Sequence, residues 1–242
     1  LRGWLSAKQS NSNDTAYIFN TTNGGNDWTI QFQDSIRVLN AIQFVDESTG
    51  YAAGGFGRAK FLKTTNGGLN WTTSIPNSSY GIQDMKFVNR DTGWVCSDDE
   101  FDGGIFRTTN GGSSWQRQTS PSQLRPLKLF YLNRDTGLAL ANGSISRTVN
   151  GGANWSFVNT VSGLESDIFF LDYNTGWIIK IGAEGQGITK TTNAGSNWFV
   201  QRDPVSGGGG SGPICIFSLS ESKAWIGCGF STILSLVNDS TW

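Results

Sequence analysis

The 242-residue chain contains no histidine. Imidazole is the commonest general base and the commonest zinc ligand, so Ser-His-Asp and Cys-His catalysis are excluded, along with histidine-built metal centres. Charge is also scarce. Charged side chains make up 15% of the chain, and 18 cations against 19 anions leave a formal net charge of −1. No global field therefore draws the protein to nucleic acid or anionic lipid. No apolar run approaches the roughly 20 residues of a membrane-spanning helix, and no signal peptide is legible. Met85 is the only methionine, and a chain opening at Leu1 reads as processed or as excised from something longer. The three cysteines, Cys96, Cys215 and Cys228, cannot all pair within the chain. If ICIFSLSESKAWIGC folds as a hairpin turning near Glu221 and Ser222, Cys215 and Cys228 stand opposite each other. They are then either a cross-strand disulfide, implying an oxidising compartment, or two small apolar neighbours.

What is present in quantity is repetition. Apolar residues at 37% and aromatics at 12% can build the core of a soluble globular protein. The phrase KTTNGGLNW at 63–71 returns as NTTNGGNDW, RTTNGGSSW, RTVNGGANW and KTTNAGSNW. Its asparagines, Asn23, Asn66, Asn110, Asn150 and Asn193, lie 40 to 44 residues apart, and VNDSTW supplies a worn sixth copy at Asn238. Such a period denotes a solenoid or propeller with one supersecondary unit per repeat. A second phrase alternates with the first: FVDESTGY, FVNRDTGW, YLNRDTGL, FLDYNTGW and SLSESKAW. Between the phrases run short segments with period-two alternation and no helical period, so each unit reads as four antiparallel strands. The expected fold is an all-β propeller of about six four-stranded blades, a single domain over 1–242. Its repeats run approximately 1–40, 41–82, 83–126, 127–166, 167–213 and 214–242. Either six blades close with the help of a further piece, or the chain is an excerpt of a ring of seven or more.

Turn chemistry accounts for the letters of the first phrase. Asparagine accepts hydrogen bonds from backbone N–H groups two or three residues ahead, and glycine supplies positive φ. Because the first glycine becomes Ala194 in one copy, the second is expected to hold the left-handed conformation. Trp28, Trp71, Trp115, Trp155 and Trp198 are expected between neighbouring blades, each burying on the order of 200 Å². A motif needed in every blade is a building rule rather than an active site.

T-x-N-G-G-x-x-W resembles the Asp-box, or bacterial neuraminidase repeat, with asparagine in the aspartate position. Its pairing with D/N-x-x-T-G-W is more similar to the photosystem II stability/assembly factor-like propellers and their secreted bacterial relatives. The resemblance covers almost the whole chain and is specific for fold. It implies a protein-binding propeller without catalysis, whose photosynthetic members carry an arginine-rich surface. That surface carries over only in part. Lys63, Arg107, Arg147 and Lys190 precede their turns, but Asn20 and Ser235 stand at the other two positions. These basic residues read otherwise as solvated edge positions that discourage aggregation.

Function is expected on the loops that differ between repeats, opposite the face of repeated turns. The candidate binding residues there are Arg58, Tyr80, Asp98, Asp99, Asp102, Arg125, Glu165 and Glu184. The acidic loop around Asp98 to Asp102 lacks the ordered spacing of a calcium site, so neither metal nor cofactor is expected. The expected partner is a protein or a cell surface, with a glycan as the alternative, and the expected location is outside the cytoplasm. A glycosidase is the enzymatic competitor, because sialidases and some glucanases use such propellers, but no paired carboxylates stand out from the spacing.

Overall fold

The computed structural model describes residues 1–8, 15–35, 37–55, 59–74, 81–97, 104–118, 126–141, 143–160, 164–181, 187–202, 213–228 and 232–235, without residue 36; side chains are described for all of these except 164–166, 181, 202, 213 and 232. Every regular element among them is a β-strand, and the strands form six antiparallel sheets. No helix there is long and apolar enough to cross a membrane.

Each sheet is a blade built by consecutive strands. Blade 2 is typical. Its inner strand Leu39–Phe44 pairs with the second strand Gly50–Gly54, which pairs with the third strand Lys60–Thr64, which pairs with the outer strand Thr72–Ser74. Blades 3, 4 and 5 repeat the order, with inner strands Asp84–Phe87, Lys128–Tyr131 and Leu164–Phe170. Blade 1 begins at a second-strand equivalent, Gly3–Lys8. Blade 6 runs from the inner strand Pro213–Ser220 to the third strand Thr232–Ser235, so each of these two shows three strands among the described residues. The inner strands of successive blades lie side by side and surround the axis.

The repeated turn is held by two side chains. In five copies the threonine two positions before asparagine (Thr21, Thr64, Thr108, Thr148 and Thr191) accepts the N–H of the second glycine at 2.8 to 2.9 Å. The same hydroxyl donates to the asparagine Oδ1. That Oδ1 in turn accepts the N–H four residues ahead, at Asp27, Asn70, Ser114, Asn154 and Asn197. The reach is longer than the two or three residues expected, and threonine carries half of the device. Both glycines have positive φ, which corrects the assignment of the left-handed residue to the second alone. The first sits at 65 to 76°, close enough to the left-handed α region for Ala194 to adopt φ 63°. The second sits at 84 to 94°, farther from any conformation an L side chain tolerates.

Blades adhere through a recurring aromatic triad. The ring that ends an inner strand lies flat on the second-strand ring of the preceding blade. Phe44 stacks on Trp4 at 3.6 Å, Phe87 on Tyr51 at 3.7 Å and Tyr131 on Trp94 at 3.6 Å. The outer-strand tryptophan then meets that ring edge-on, Trp71 to Phe44 at 87° and Trp115 to Phe87 at 83°. Trp155 to Tyr131 (86°) and Trp198 to Phe170 (90°) repeat it. The indole N–H groups of these four tryptophans are buried without a conventional acceptor. Placing an indole edge on a ring face gives such an N–H a weak π acceptor. The glycine of T-G-W is required because a Cβ at Gly50, Gly93 or Gly176 would overlap the ring of Phe44, Phe87 or Phe170. Trp28 departs from the expectation: it is 40% exposed and donates to the Gly25 carbonyl of its own turn.

The three cysteines form no disulfide. A bulge at Ser218/Ser220 shifts the hairpin, so Cys215 faces Gly227, and a second at Pro213/Cys215 puts Pro213 opposite Cys228. Cys215 is exposed, whereas Cys228 packs toward the blade 5 cluster of Trp177, Ile179 and Ile188. The two thiols occupy opposite faces of the sheet, which excludes the disulfide in this register.

Candidate binding surface

Antiparallel meandering places the two repeated turns of every blade on one face and the second-to-third loops and blade connections on the other. On the turn face the basic residues cover rings rather than stand in solvent. Lys63, Arg107 and Lys190 lie directly opposite Tyr51, Trp94 and Trp177 in the strand register. Their cationic groups sit 5.8, 5.5 and 5.5 Å from those ring centroids, within cation–π range. Lys190 is 3% exposed and reaches Glu221 of the next blade at 3.1 Å. Arg147 lies 4.9 Å from the Tyr173 ring centroid and donates to its hydroxyl at 3.4 Å. The expectation of solvated edge positions is thus corrected: these side chains seal blade interfaces. Arg90 pairs with Asp46 of the preceding blade at 2.6 Å, and that guanidinium holds the Asp46 carboxyl far below the ordinary carboxylate range.

The sequence-based candidates were assigned to the opposite face. Arg58, Tyr80, Asp98, Asp99, Asp102, Arg125 and Glu184 lie outside the described residues. Glu165 is on the blade 5 inner strand Leu164–Phe170, which places its backbone beside the axis.

Sequence reasoning missed the charges at the axis. Asp84, Lys128 and Asp167 share one column, three residues before the aromatic that ends each inner strand, and Lys86 is two residues beyond Asp84. Each aspartate bridges two inner strands: Asp84 accepts the N–H of Met85 and of Leu129 in the next blade, both at 2.9 Å. Asp167 accepts those of Ile168 at 3.0 Å and Ile216 at 2.9 Å. Burial pushes both carboxyls up from their ordinary range, partly offset by Lys128 and by these N–H donors. Gln43 does the same work without charge, exchanging two hydrogen bonds with the Phe87 backbone at 2.8 Å. Charges at Asp84, Lys128 and Asp167, each next to the apolar column of Met85, Leu129 and Ile168, were the signal available in the sequence.

The description photosynthesis system II assembly factor YCF48 matches residues 23–166, more than half of the chain. The chain belongs to the YCF48 family. No curated protein matches the sequence. Among solved structures it is similar to a YCF48 from Cyanidioschyzon merolae at 14% identity and a TM-score of 0.66, covering 93% of this chain and 80% of that one. It is also similar to a YCF48 bound to a D1 peptide, at 14% identity and a TM-score of 0.52, covering 83% and 78%. A GH74 xyloglucanase from Xanthomonas campestris aligns over 99% of this chain but 46% of its own length, at 13% identity and a TM-score of 0.72. At these identities the likenesses establish a shared propeller fold. The matched span contains turns and triads that close and join blades.

Proposed function

We propose that this YCF48-family chain is a non-catalytic scaffold that holds a protein partner on its variable-loop face. Family membership carries the reading: the matching family is that of an assembly factor, and a YCF48 structure contains a D1 peptide. The transferable chemistry is recognition of a polypeptide segment by loops on a rigid frame. The allocation of side chains supports it, because the repeated threonines, asparagines, aromatics and basic residues are engaged in turns and blade seams. We further propose an extracytoplasmic location with the partner at a cell surface; protease shaving of intact cells would degrade such a protein and spare a cytoplasmic one. The test of the main reading is affinity capture with the wild type and with Arg58→Glu and Asp99→Lys. One protein recovered by the wild type and lost from both variants, with unchanged thermal unfolding, supports it. Equal recovery by all three contradicts it.

A second reading rests on the extent of the fold likeness to the GH74 xyloglucanase. A glycosidase needs two carboxyl groups flanking the scissile bond, and Glu165 and Glu184 are the candidates. Hydrolysis of aryl glycosides or xyloglucan that is abolished by Glu165→Gln or Glu184→Gln would replace the scaffold reading. Binding on a glycan array without turnover would favour a lectin.

A further inference from the structure

We propose that the axis of the propeller is a carboxylate-binding site whose donors are the ammonium groups of Lys86 and Lys128. This site is separate from the loop-face surface and does not depend on it. Lys86 and Lys128 belong to the inner strands Asp84–Phe87 and Lys128–Tyr131, which pack side by side. They stand two residues apart in the shared register, about 7 Å along the axis, a gap that two four-carbon stems can close.

The neighbouring acids do not satisfy them. Both Asp84 oxygens and both Asp167 oxygens are engaged with backbone N–H groups. Among the described residues neither lysine has an acceptor within hydrogen-bond or ion-pair distance. Both lysines are half-buried. One side of the site is dry: the Lys86 ammonium lies 5.6 Å from the Phe130 ring centroid, and Phe169 meets Phe130 edge-on at 5.3 Å. Ammonium groups stripped of part of their hydration, with no acceptor supplied in exchange, gain from an entering anion. A carboxylate offers two oxygens, one to each lysine.

The surrounding charges fix the pH dependence. Lys86 lies within electrostatic reach of Asp84 of its own strand and of Asp167 in blade 5, and Lys128 within reach of both aspartates. Burial disfavours the charged form of all three of Asp84, Asp167 and Lys86. Protonation of the raised aspartates as pH falls removes negative charge beside the lysines, so binding of an anion tightens.

The test is titration of the whole chain with oxalate, which stays ionised across the range used, at ionic strength held constant with chloride. Lysine side-chain 15N resonances and calorimetry are read at about pH 5.5 and about pH 8. Saturable binding is expected, tighter at the lower pH, with shifts at Lys86 and Lys128 but not at Lys63. Lys86→Met and Lys128→Met should each weaken it on the order of tenfold or more, and Lys63→Met should not. A short peptide with a free C-terminus, compared with its amide, tells whether the natural carboxylate is a chain terminus or a free acid. Non-saturable shifts spread over all lysines, unchanged binding in both axial variants, or no binding of either oxalate or the free-acid peptide would overturn the proposal. If a variant fails to fold, the wild-type resonance pattern alone decides.

Discussion

Replacing Phe87 by alanine removes the middle ring of the seam between blades 2 and 3. Phe87 is 2% exposed, lies flat on Tyr51 at 3.7 Å, and receives Trp115 edge-on. Truncating a buried phenylalanine costs about 3 to 5 kcal/mol, the lost ring pairing included. The seam cannot collapse to fill the hole, because Tyr51 is fixed at its far end by a hydrogen bond from its hydroxyl to the Arg90 carbonyl. The upper part of the range therefore applies, about 4 to 5 kcal/mol, or roughly 10 to 20 °C in Tm for a chain of this size. Urea unfolding followed by tryptophan fluorescence measures the loss. Val149→Ala is the control, since Val149 is 63% exposed and surface changes of this kind stay within about 0.5 kcal/mol. A cost for Phe87→Ala below about 1 kcal/mol, with an unchanged denaturant slope, would refute the idea that stacked seams hold the blades together.

Three further outcomes follow from the turn and the axis. Thr108→Val should cost about 1 to 3 kcal/mol by leaving the buried Gly112 N–H without its acceptor, and Thr108→Ser should recover most of it in the same urea assay. Gly24→Ala meets no atom within 4 Å and should cost only the left-handed penalty of about 1 to 2 kcal/mol, whereas Gly112→Ala also overlaps the Phe61 ring and should cost about 2 to 5 kcal/mol in thermal unfolding. Asp84 and Asp167 have folded pKa values above the unfolded one, so the stability they contribute is fully present below the unfolded value and is lost as pH rises through the folded value. As pH rises above the ordinary carboxylate range, stability should therefore fall less in Asp84→Asn than in the wild type; an identical pH slope would contradict the raised carboxyl.

The period and the turns were legible because each blade restates them: Thr-x-Asn-Gly-Gly and the following tryptophan appear wherever a third strand ends. The triad was only half legible. Its letters are present in Phe44, Phe87, Tyr131 and Phe170, but stacking across blades joins residues about one period apart, which local alternation does not report. Register failed at the blade 6 hairpin, because the bulge at Ser218/Ser220 displaced Cys215 by one position and no residue in ICIFSLSESKAWIGC marks it. The basic residues before each turn were misjudged for a different reason. A cation in an edge column looks solvated until the ring directly across the strand is known to be its cover. Candidate loop residues were chosen by their failure to repeat, a criterion that selects variable positions without saying which of them touch a ligand.

The division of labour between repeated turns and variable loops is tested most directly by exchanging the loops at 54–59, 97–104 and 182–187 for Gly-Ser linkers of equal length and measuring partner capture and Tm on the same preparation. Lost capture with a Tm within a few degrees of the wild type is the expected result. Retained capture, or loss only in proportion to a collapse in Tm, would contradict a function carried by that face.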